Sequence, residues 1–355
     1  MRIDTEPKLD YDDVLIRPKR STLESRADVE LTRTFEFYHS KKTWTGIPVM
    51  VSNMDSVGTF EMARALSTQK IVTCLHKFYS VSDYKQFFST FHAPDYVAYS
   101  LGIRPEDFTK LQEMKAAGLL SQFSFIVLDV PNAYLESFVV KLRELRALCP
   151  EHIIVAGNCV TNEMAEELVL NGADIVKVGI GSGSACLTRR KTGVGYPQLS
   201  ATIECSDAAH GISRAGFGCG LVVSDGGIVY PADVAKSICG GADFVMIGSL
   251  FAGHDETAGT LIERDGKQYK QFRGMSSTAA MKDNYGKKAV YRASEGRELL
   301  IPYRGSVLDF VEDLLGSLRS TGTYIGARKL KEFSKRATFI KVSRQLNTSL
   351  ERFEK

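Results

Sequence analysis

The sequence predicts an α/β protein: a closed (β/α)8, or TIM, barrel with an N-terminal arm and a long lid after strand eight. Three observations lead there. Eight short β-branched runs alternate with amphipathic segments, the pattern of βαβ units around a parallel sheet. The first run ends Val51-Ser52-Asn53-Met54-Asp55, without the G-x-G-x-x-G turn that an open dinucleotide-binding sheet carries there. Conspicuous polar and glycine residues follow the runs, at Asn53, His76-Lys77, Gly102, Asp129, Asn158, Asp225-Gly226-Gly227 and Gly248-Ser249. In a barrel all those ends share one face, where this fold carries its active sites.

Residues 1–47 are polar and charge-rich, and they read as an arm lying over the domain rather than as core. The strand runs then follow at 47–52, 71–75, 96–101, 125–130, 153–156, 174–180, 221–224 and 244–247. Helical periodicity marks 59–67, 134–148, 162–170 and 231–238 between them. Two connections are unusual. Residues 211–220, rich in glycine, read as a flexible stretch before strand seven, and 252–303 form a long excursion after strand eight. A loop of that length in a compact domain is usually functional, for example a lid. A helix over 307–320 and a tail close the chain, so 1–355 are expected to form one barrel domain.

The bulk composition narrows the function. The chain of 355 residues is 44% apolar and 25% charged, with a net charge of +3, too small and too evenly spread to imply nucleic acid. No apolar run approaches the roughly 18 residues of a membrane span. The segment Met1-Arg2-Ile3-Asp4-Thr5-Glu6 is unlike a signal peptide. Seven scattered cysteines with no C-x-x-C pair argue against a disulfide framework or zinc site and for a reducing, cytoplasmic setting.

The chemistry centres on Gly179-Ile180-Gly181-Ser182-Gly183-Ser184-Ala185-Cys186-Leu187-Thr188, where strand six runs into a glycine-rich loop. Unreactive free cysteines are usually buried, so Cys186 on such a turn is a candidate nucleophile; the bland alternative is a flexible loop that happens to contain a cysteine. A free thiol is only a few per cent ionised at neutral pH and needs activation. Thr188 can donate or accept a proton, and Glu295 in the lid is its candidate partner, although alone it reads as a surface carboxylate. The turns after strands seven and eight are the usual phosphate site of this fold. Here Gly226, Gly227 and Gly248 offer backbone N–H groups, with Ser184 and Ser249 as hydroxyl donors. Asp225 suits a ribose diol. Lys77 and Asp129 would face the same pocket, His76 reads as structural, and Arg189-Arg190-Lys191 as a solvated or phosphate-neighbouring loop.

The Gly-x-Gly-Ser-x-Cys-x-Thr loop at 181–188 resembles the signature of the IMP dehydrogenase and GMP reductase family. The likeness continues through Arg17-Pro18-Lys19-Arg20-Ser21-Thr22, Ser25-Arg26, Asn53-Met54-Asp55, Ser224-Asp225-Gly226-Gly227 and residues 291–296. His76-Lys77-Phe78-Tyr79-Ser80 runs on to strand three without the inserted CBS modules typical of the dehydrogenases. Lys77 and the lid residues Gly274-Met275-Ser276-Ser277 and Arg292-Ala293-Ser294-Glu295-Gly296 are similar to the reductase branch.

That resemblance implies NADPH-dependent reductive deamination of GMP to IMP and ammonia. Cys186 would attack purine C2 to form a covalent thioimidate, with Thr188 and Glu295 handling the proton. GMP would bind Ser184, Asp225, Gly226, Gly227, Gly248, Ser249, Gly274, Met275, Ser276, Arg292, Ala293, Ser294 and Gly296. NADPH would contact Lys77, Asp129, Val130, Pro131, Ile180, Gly181, Met275, Tyr291 and Arg292. Ser320, Thr321, Gly322 and Thr323 would complete its site, with Ser25 and Arg26 from a neighbouring subunit of a homotetramer. Potassium would sit on the carbonyls of Gly181, Gly183 and Cys186, near Arg189. The chain departs from the family at Ser182 (usually proline), Leu187 (usually threonine), Pro131 and Ala133 (usually alanine and glycine) and Gly322 (usually cysteine), and carries an insertion near 213–218. Two other readings stay open on the residues: an IMP dehydrogenase without CBS modules, and an inactive nucleotide-binding paralogue.

Overall fold

The computed structural model describes residues 3–214, 217–286 and 293–343. Eight parallel strands close a barrel: β1 (Val49–Val51), β2 (Val72–Cys74), β3 (Val97–Leu101), β4 (Phe125–Asp129), β5 (Ile153–Cys159), β6 (Ile175–Val178), β7 (Leu221–Asp225) and β8 (Phe244–Ile247). Val245 pairs with Val49 and Ile247 with Val51, which joins the last strand to the first. The strands are buried nearly throughout, as expected of a parallel sheet covered by helices, and this is why they read as continuous apolar runs.

The helices that cover the barrel are α1 (Phe60–Ser67), α2 (Val81–Phe88), α3 (Pro105–Ala116), α4 (Glu136–Leu148), α5 (Asn162–Leu170), α6 (Thr188–Thr192), α7 (Gln198–Gly211) and α8 (Pro231–Cys239). Their starts follow local chemistry. Thr59 accepts the Met62 N–H ahead of α1, Ser80 and Asp83 cap α2 reciprocally, and prolines 105 and 231 open α3 and α8.

The arm corrects an expectation, because much of it is core. Strands Arg33–Glu36 and Thr43–Gly46 form a hairpin whose alternation turns Phe35 and Trp44 inward, with Phe37 buried just beyond. Phe35 stacks on Phe244 at 4.6 Å between centroids, and Trp44 meets Phe125 edge-on at 5.7 Å. Phe125, Ile153, Leu221 and Phe244 each open a barrel strand and share this cluster. The hairpin therefore plugs the amino end of the barrel, leaving the carboxyl ends as the open face. The Trp44 indole N–H also donates to the Asp95 carbonyl at 2.7 Å. Trp44→Phe removes that bond and part of the packing, and should destabilise the fold by about 1–3 kcal/mol in urea denaturation.

The other two unusual stretches are also structured. Ser213–Arg214 and Phe217–Cys219 pair antiparallel rather than forming a loose glycine-rich segment. The excursion after β8 contains an antiparallel sheet of β9 (Ile262–Arg264), β10 (Lys267–Arg273) and β11 (Glu298–Pro302), with α9 (Thr278–Tyr285) between the last two. It is anchored at its base. Arg273 and Asn284 both donate to Asp55 Oδ2, at 2.8 and 3.0 Å, just past β1. The buried Lys270 ammonium bonds the carbonyls of Asp255 and Thr257. Helix α10 (Val307–Ile325) runs five residues beyond its expected end at 320, and Phe339–Lys341 pairs with Val14–Ile16 of the arm. Among the described residues, no helix is long and apolar enough to cross a membrane.

Candidate active site

Three chain segments meet over the loop that follows β6. Cys186 forms an antiparallel bridge with Gly296. The Leu187 N–H donates to the Glu295 carbonyl at 2.5 Å and the Arg297 N–H to the Ala185 carbonyl at 3.0 Å. The third segment joins through Gly296 N–H to the Ser276 carbonyl and Gly274 N–H to the Arg297 carbonyl. This contact needs glycine. A Cβ on Gly274 would lie 2.7 Å from the Ala185 carbonyl oxygen, and one on Gly296 would lie 2.5 Å from the Ser277 nitrogen. The backbone of the lid thus lies directly against the cysteine loop.

That closure builds a hydrogen-bonded chain. The half-buried Cys186 thiol donates to Thr188 Oγ1 at 3.2 Å, and the Thr188 hydroxyl donates to Glu295 Oε2 at 2.6 Å. Thr188 opens α6 and Glu295 comes from the lid, 107 residues later. The arrangement can carry a proton from sulfur through a hydroxyl to a carboxylate.

The expected nucleotide residues surround this chain. Asp225 ends β7, where Oδ2 accepts from Lys177 Nζ at 2.6 Å and Asn158 Nδ2 at 2.9 Å. Gly227 N–H donates to the Ser182 carbonyl, and the Ser182 hydroxyl to the Asp225 carbonyl at 3.3 Å, tying the cysteine loop to the turn after β7. Ser182 thus supplies a side-chain tie at a position where the resemblance led to an expectation of proline. Gly248 precedes the short turn Ser249–Phe251, whose Ser249 hydroxyl donates to the Ile228 carbonyl. Ser184 accepts Arg297 Nε through its carbonyl, Met275 Sδ accepts the Asp55 N–H, and Ser294 donates to the carbonyls of Ser276 and Gly296. Ala293 is exposed at the start of this run.

The expected cofactor residues fall into two groups. Asp129, at the end of β4, accepts from Lys177 Nζ and Asn53 Nδ2, both at 3.0 Å. Burial works against its charge, but the Lys177 ammonium, the Asn53 amide and Lys77 together outweigh burial and hold the carboxyl below its usual range. Lys77 pairs with Asp107 at 3.1 Å. Val130 bonds the Gly157 carbonyl, Pro131 is exposed, and Ile180 and Gly181 are half-buried beside the cysteine loop. Ser320, Thr321, Gly322 and Thr323 lie instead in the last turns of α10, packed on the turn Arg26–Asp28 that Ser25 caps. A Cβ on Gly322 would lie 2.7 Å from Val29 Cγ1, so Val29 fills the space toward which a larger residue would project. Ser25 and Arg26 therefore share one patch with α10 on the same chain. Tyr291 and Arg292 lie outside the described residues.

His76 stacks on Tyr79 at 3.9 Å, and burial pushes its ring down to about 4, so it is neutral and structural. Arg189 pairs with Asp10 at 3.0 Å and bonds the Tyr196 carbonyl, while Arg190 and Lys191 are exposed. The carbonyls of Gly181, Gly183 and Cys186 are hard oxygen donors of the kind that replaces the hydration shell of potassium. Gly183 O already accepts the Cys186 N–H at 2.9 Å, which leaves a second lone pair for an ion. Among the described residues, no group of three or more His, Cys, Asp or Glu is arranged to hold a metal. Sequence reasoning missed the role of Lys177. The available signal was a lone cation inside the otherwise apolar β6.

Comparison with known proteins shows which family the chain is similar to. The sequence profile described as IMP dehydrogenase / GMP reductase domain matches residues 8–349. A GMP reductase of Caenorhabditis elegans is 57% identical over 99% of this chain and 97% of its own length. GMP reductase 1 of Homo sapiens is 54% identical over 98% of this chain and 99% of its own. A GMP reductase of Ascaris suum is 54% identical over 99% and 98% of the two chains.

Proposed function

The chain belongs to the IMP dehydrogenase and GMP reductase family, and on that premise we propose that it reduces and deaminates GMP to IMP and ammonia with NADPH. The observation that carries the reading is the chain from Cys186 through Thr188 to Glu295, closed by the lid. The relatives named GMP reductase, at 54–57% identity over nearly full length, favour it over a dehydrogenase or an inactive paralogue.

In this reading the Cys186 thiol passes its proton through Thr188 to Glu295, and the thiolate forms a bond to purine C2. The exocyclic amine must leave as ammonia. Thr188 and Glu295 return the proton it needs as the C2–N bond breaks, and the purine stays attached through sulfur. NADPH, when bound by the residues named below, would supply the hydride that C2 receives. The C2–S bond then breaks, Cys186 leaves as thiolate, and IMP is released. Asp225 holds the ribose diol of GMP, and the turns at Gly226, Gly227, Gly248 and Ser249 hold its phosphate. Lys77, Asp129, Val130, Pro131, Ile180 and Gly181 orient the cofactor. Potassium on the Gly181, Gly183 and Cys186 carbonyls would stiffen the loop.

The same reading takes the protein as one cytoplasmic barrel domain without inserted regulatory modules, assembled as a homotetramer. Ser25, Arg26 and the end of α10 form one patch, so a cofactor reaching both must take them from the same subunit. Exposed Leu15, Ile340 and Tyr324 give the arm and the end of α10 an apolar surface suited to a subunit contact. The test follows absorbance at the NADPH band with GMP present, against a parallel assay with IMP and NAD. Loss of NADPH with GMP is expected. No loss despite GMP binding, or turnover only with IMP and NAD, would sink the reading.

A further inference from the structure

Lys177 sits in β6 with its side chain turned into the barrel, 4% exposed. An ammonium has three N–H donors and no acceptor. Here the three meet Asp225 Oδ2 at 2.6 Å, Asn158 Oδ1 at 2.9 Å and Asp129 Oδ1 at 3.0 Å. The two carboxylates end strands β4 and β7, and the function proposed above assigns them to different molecules. Asp129 serves the cofactor and Asp225 the nucleotide. We propose that Lys177 is a positioning residue, the counter-ion shared by both binding carboxylates, so that one ammonium holds the two sites ready together. The proposal rests on that functional reading for what the carboxylates bind, but not for the cluster itself.

The physical case is one of charge and direction. Two carboxylates converging on one partly dehydrated mouth cannot both stay ionised without a cation, and one takes up a proton. Burial of Lys177 opposes its charge, yet Asp129 and Asp225 outweigh burial and raise its affinity for the proton, so the ammonium stays charged. Asn158 and Lys177 both bond Oδ2 of Asp225, and among the described residues Oδ1 carries no hydrogen bond, leaving it for ribose hydroxyls. Asp129 is fixed differently, with Lys177 on Oδ1 and Asn53 on Oδ2. Among the described residues, Lys77 and Cys74 also face the cluster. Lys77 adds to the pull on Asp129, and burial raises the Cys74 thiol of β2 so that it stays neutral.

The test is Lys177→Met, with the dissociation constants of GMP and NADPH measured separately by calorimetry from pH 6.5 to 9. Both should rise at least about tenfold at pH 6.5. The deficit should narrow as pH rises and the second carboxylate ionises. A change in only one constant, or equal losses at every pH, would overturn the proposal, since a purely structural role predicts the latter. Should the single variant not fold, the neutral triple Lys177→Met/Asp129→Asn/Asp225→Asn decides. It removes the repulsion along with the cation, so it should melt at a higher temperature than Lys177→Met. A triple variant no more stable than the single one would refute the shared counter-ion. Failure of the parent enzyme to bind GMP would instead count against the functional reading, and the triple variant would still judge the cluster.

Discussion

Cys186→Ala should lower turnover by about four orders of magnitude or more while GMP binds within a few-fold of the parent. The Cys186 sulfur is the atom that would bond to C2, and alanine leaves nothing to take its place. The groups expected to hold the nucleotide are elsewhere: Asp225 at the end of β7, the two glycine turns and the lid backbone. The bridge between residue 186 and Gly296 is a backbone contact, so the lid should still close over alanine. Loss of NADPH absorbance measures turnover, and calorimetry with GMP measures binding. A variant that keeps even a few per cent of the rate would mean that C2 is not attacked by this sulfur.

Glu295→Gln should reduce kcat by about 10²–10⁴-fold, the usual contribution of a positioned acid–base group, with KM for GMP changed only a few-fold. The Thr188 hydroxyl donates to Glu295 Oε2 at 2.6 Å. Glutamine keeps the size and one acceptor but cannot take the proton. Thr188→Ala should cost a similar amount, because the two residues form one path. Combining them should be little worse than either alone, since groups acting as a unit are strongly non-additive. Steady-state rates of the three variants decide it. Multiplicative losses would show that Thr188 and Glu295 act separately.

The barrel was legible because its strands are buried on both faces and read as apolar runs, and the eight expected runs coincide with β1–β8 to within a few residues. Cys186, Thr188 and Glu295 were legible as types, and the fold supplied the distances that a lone lid carboxylate could not suggest. The arm hairpin was misread because Phe35, Phe37 and Trp44 stand among charged neighbours that face outward. The lid sheet was invisible because β10, Lys-Gln-Tyr-Lys-Gln-Phe-Arg, is mostly polar and buries only Lys270 and Phe272. Helix α7 escaped because its buried face includes Gln198, Thr202 and Ser206, and the hydrogen bonds of Gln198 and Thr202 to Ser224 do the work apolar contacts do elsewhere. Lys177 looked like any strand lysine until its three acceptors were placed around it.

The closure of the barrel also bears on how quickly it can form. Val49 at the start of β1 waits for Val245 in β8, and the arm strand Val14–Ile16 waits for Phe339–Lys341. Such distant pairings raise contact order, and chains dominated by them fold slowly because loop-closure entropy is lost before the contacts return it. The hairpin at 33–46 is different. Its strands are local, so it can form early and offer Phe35, Phe37 and Trp44 as a surface on which the openings of β4, β5, β7 and β8 collect. During synthesis the plug would precede the barrel it fills, and the final ladder would settle around an aromatic seed already in place.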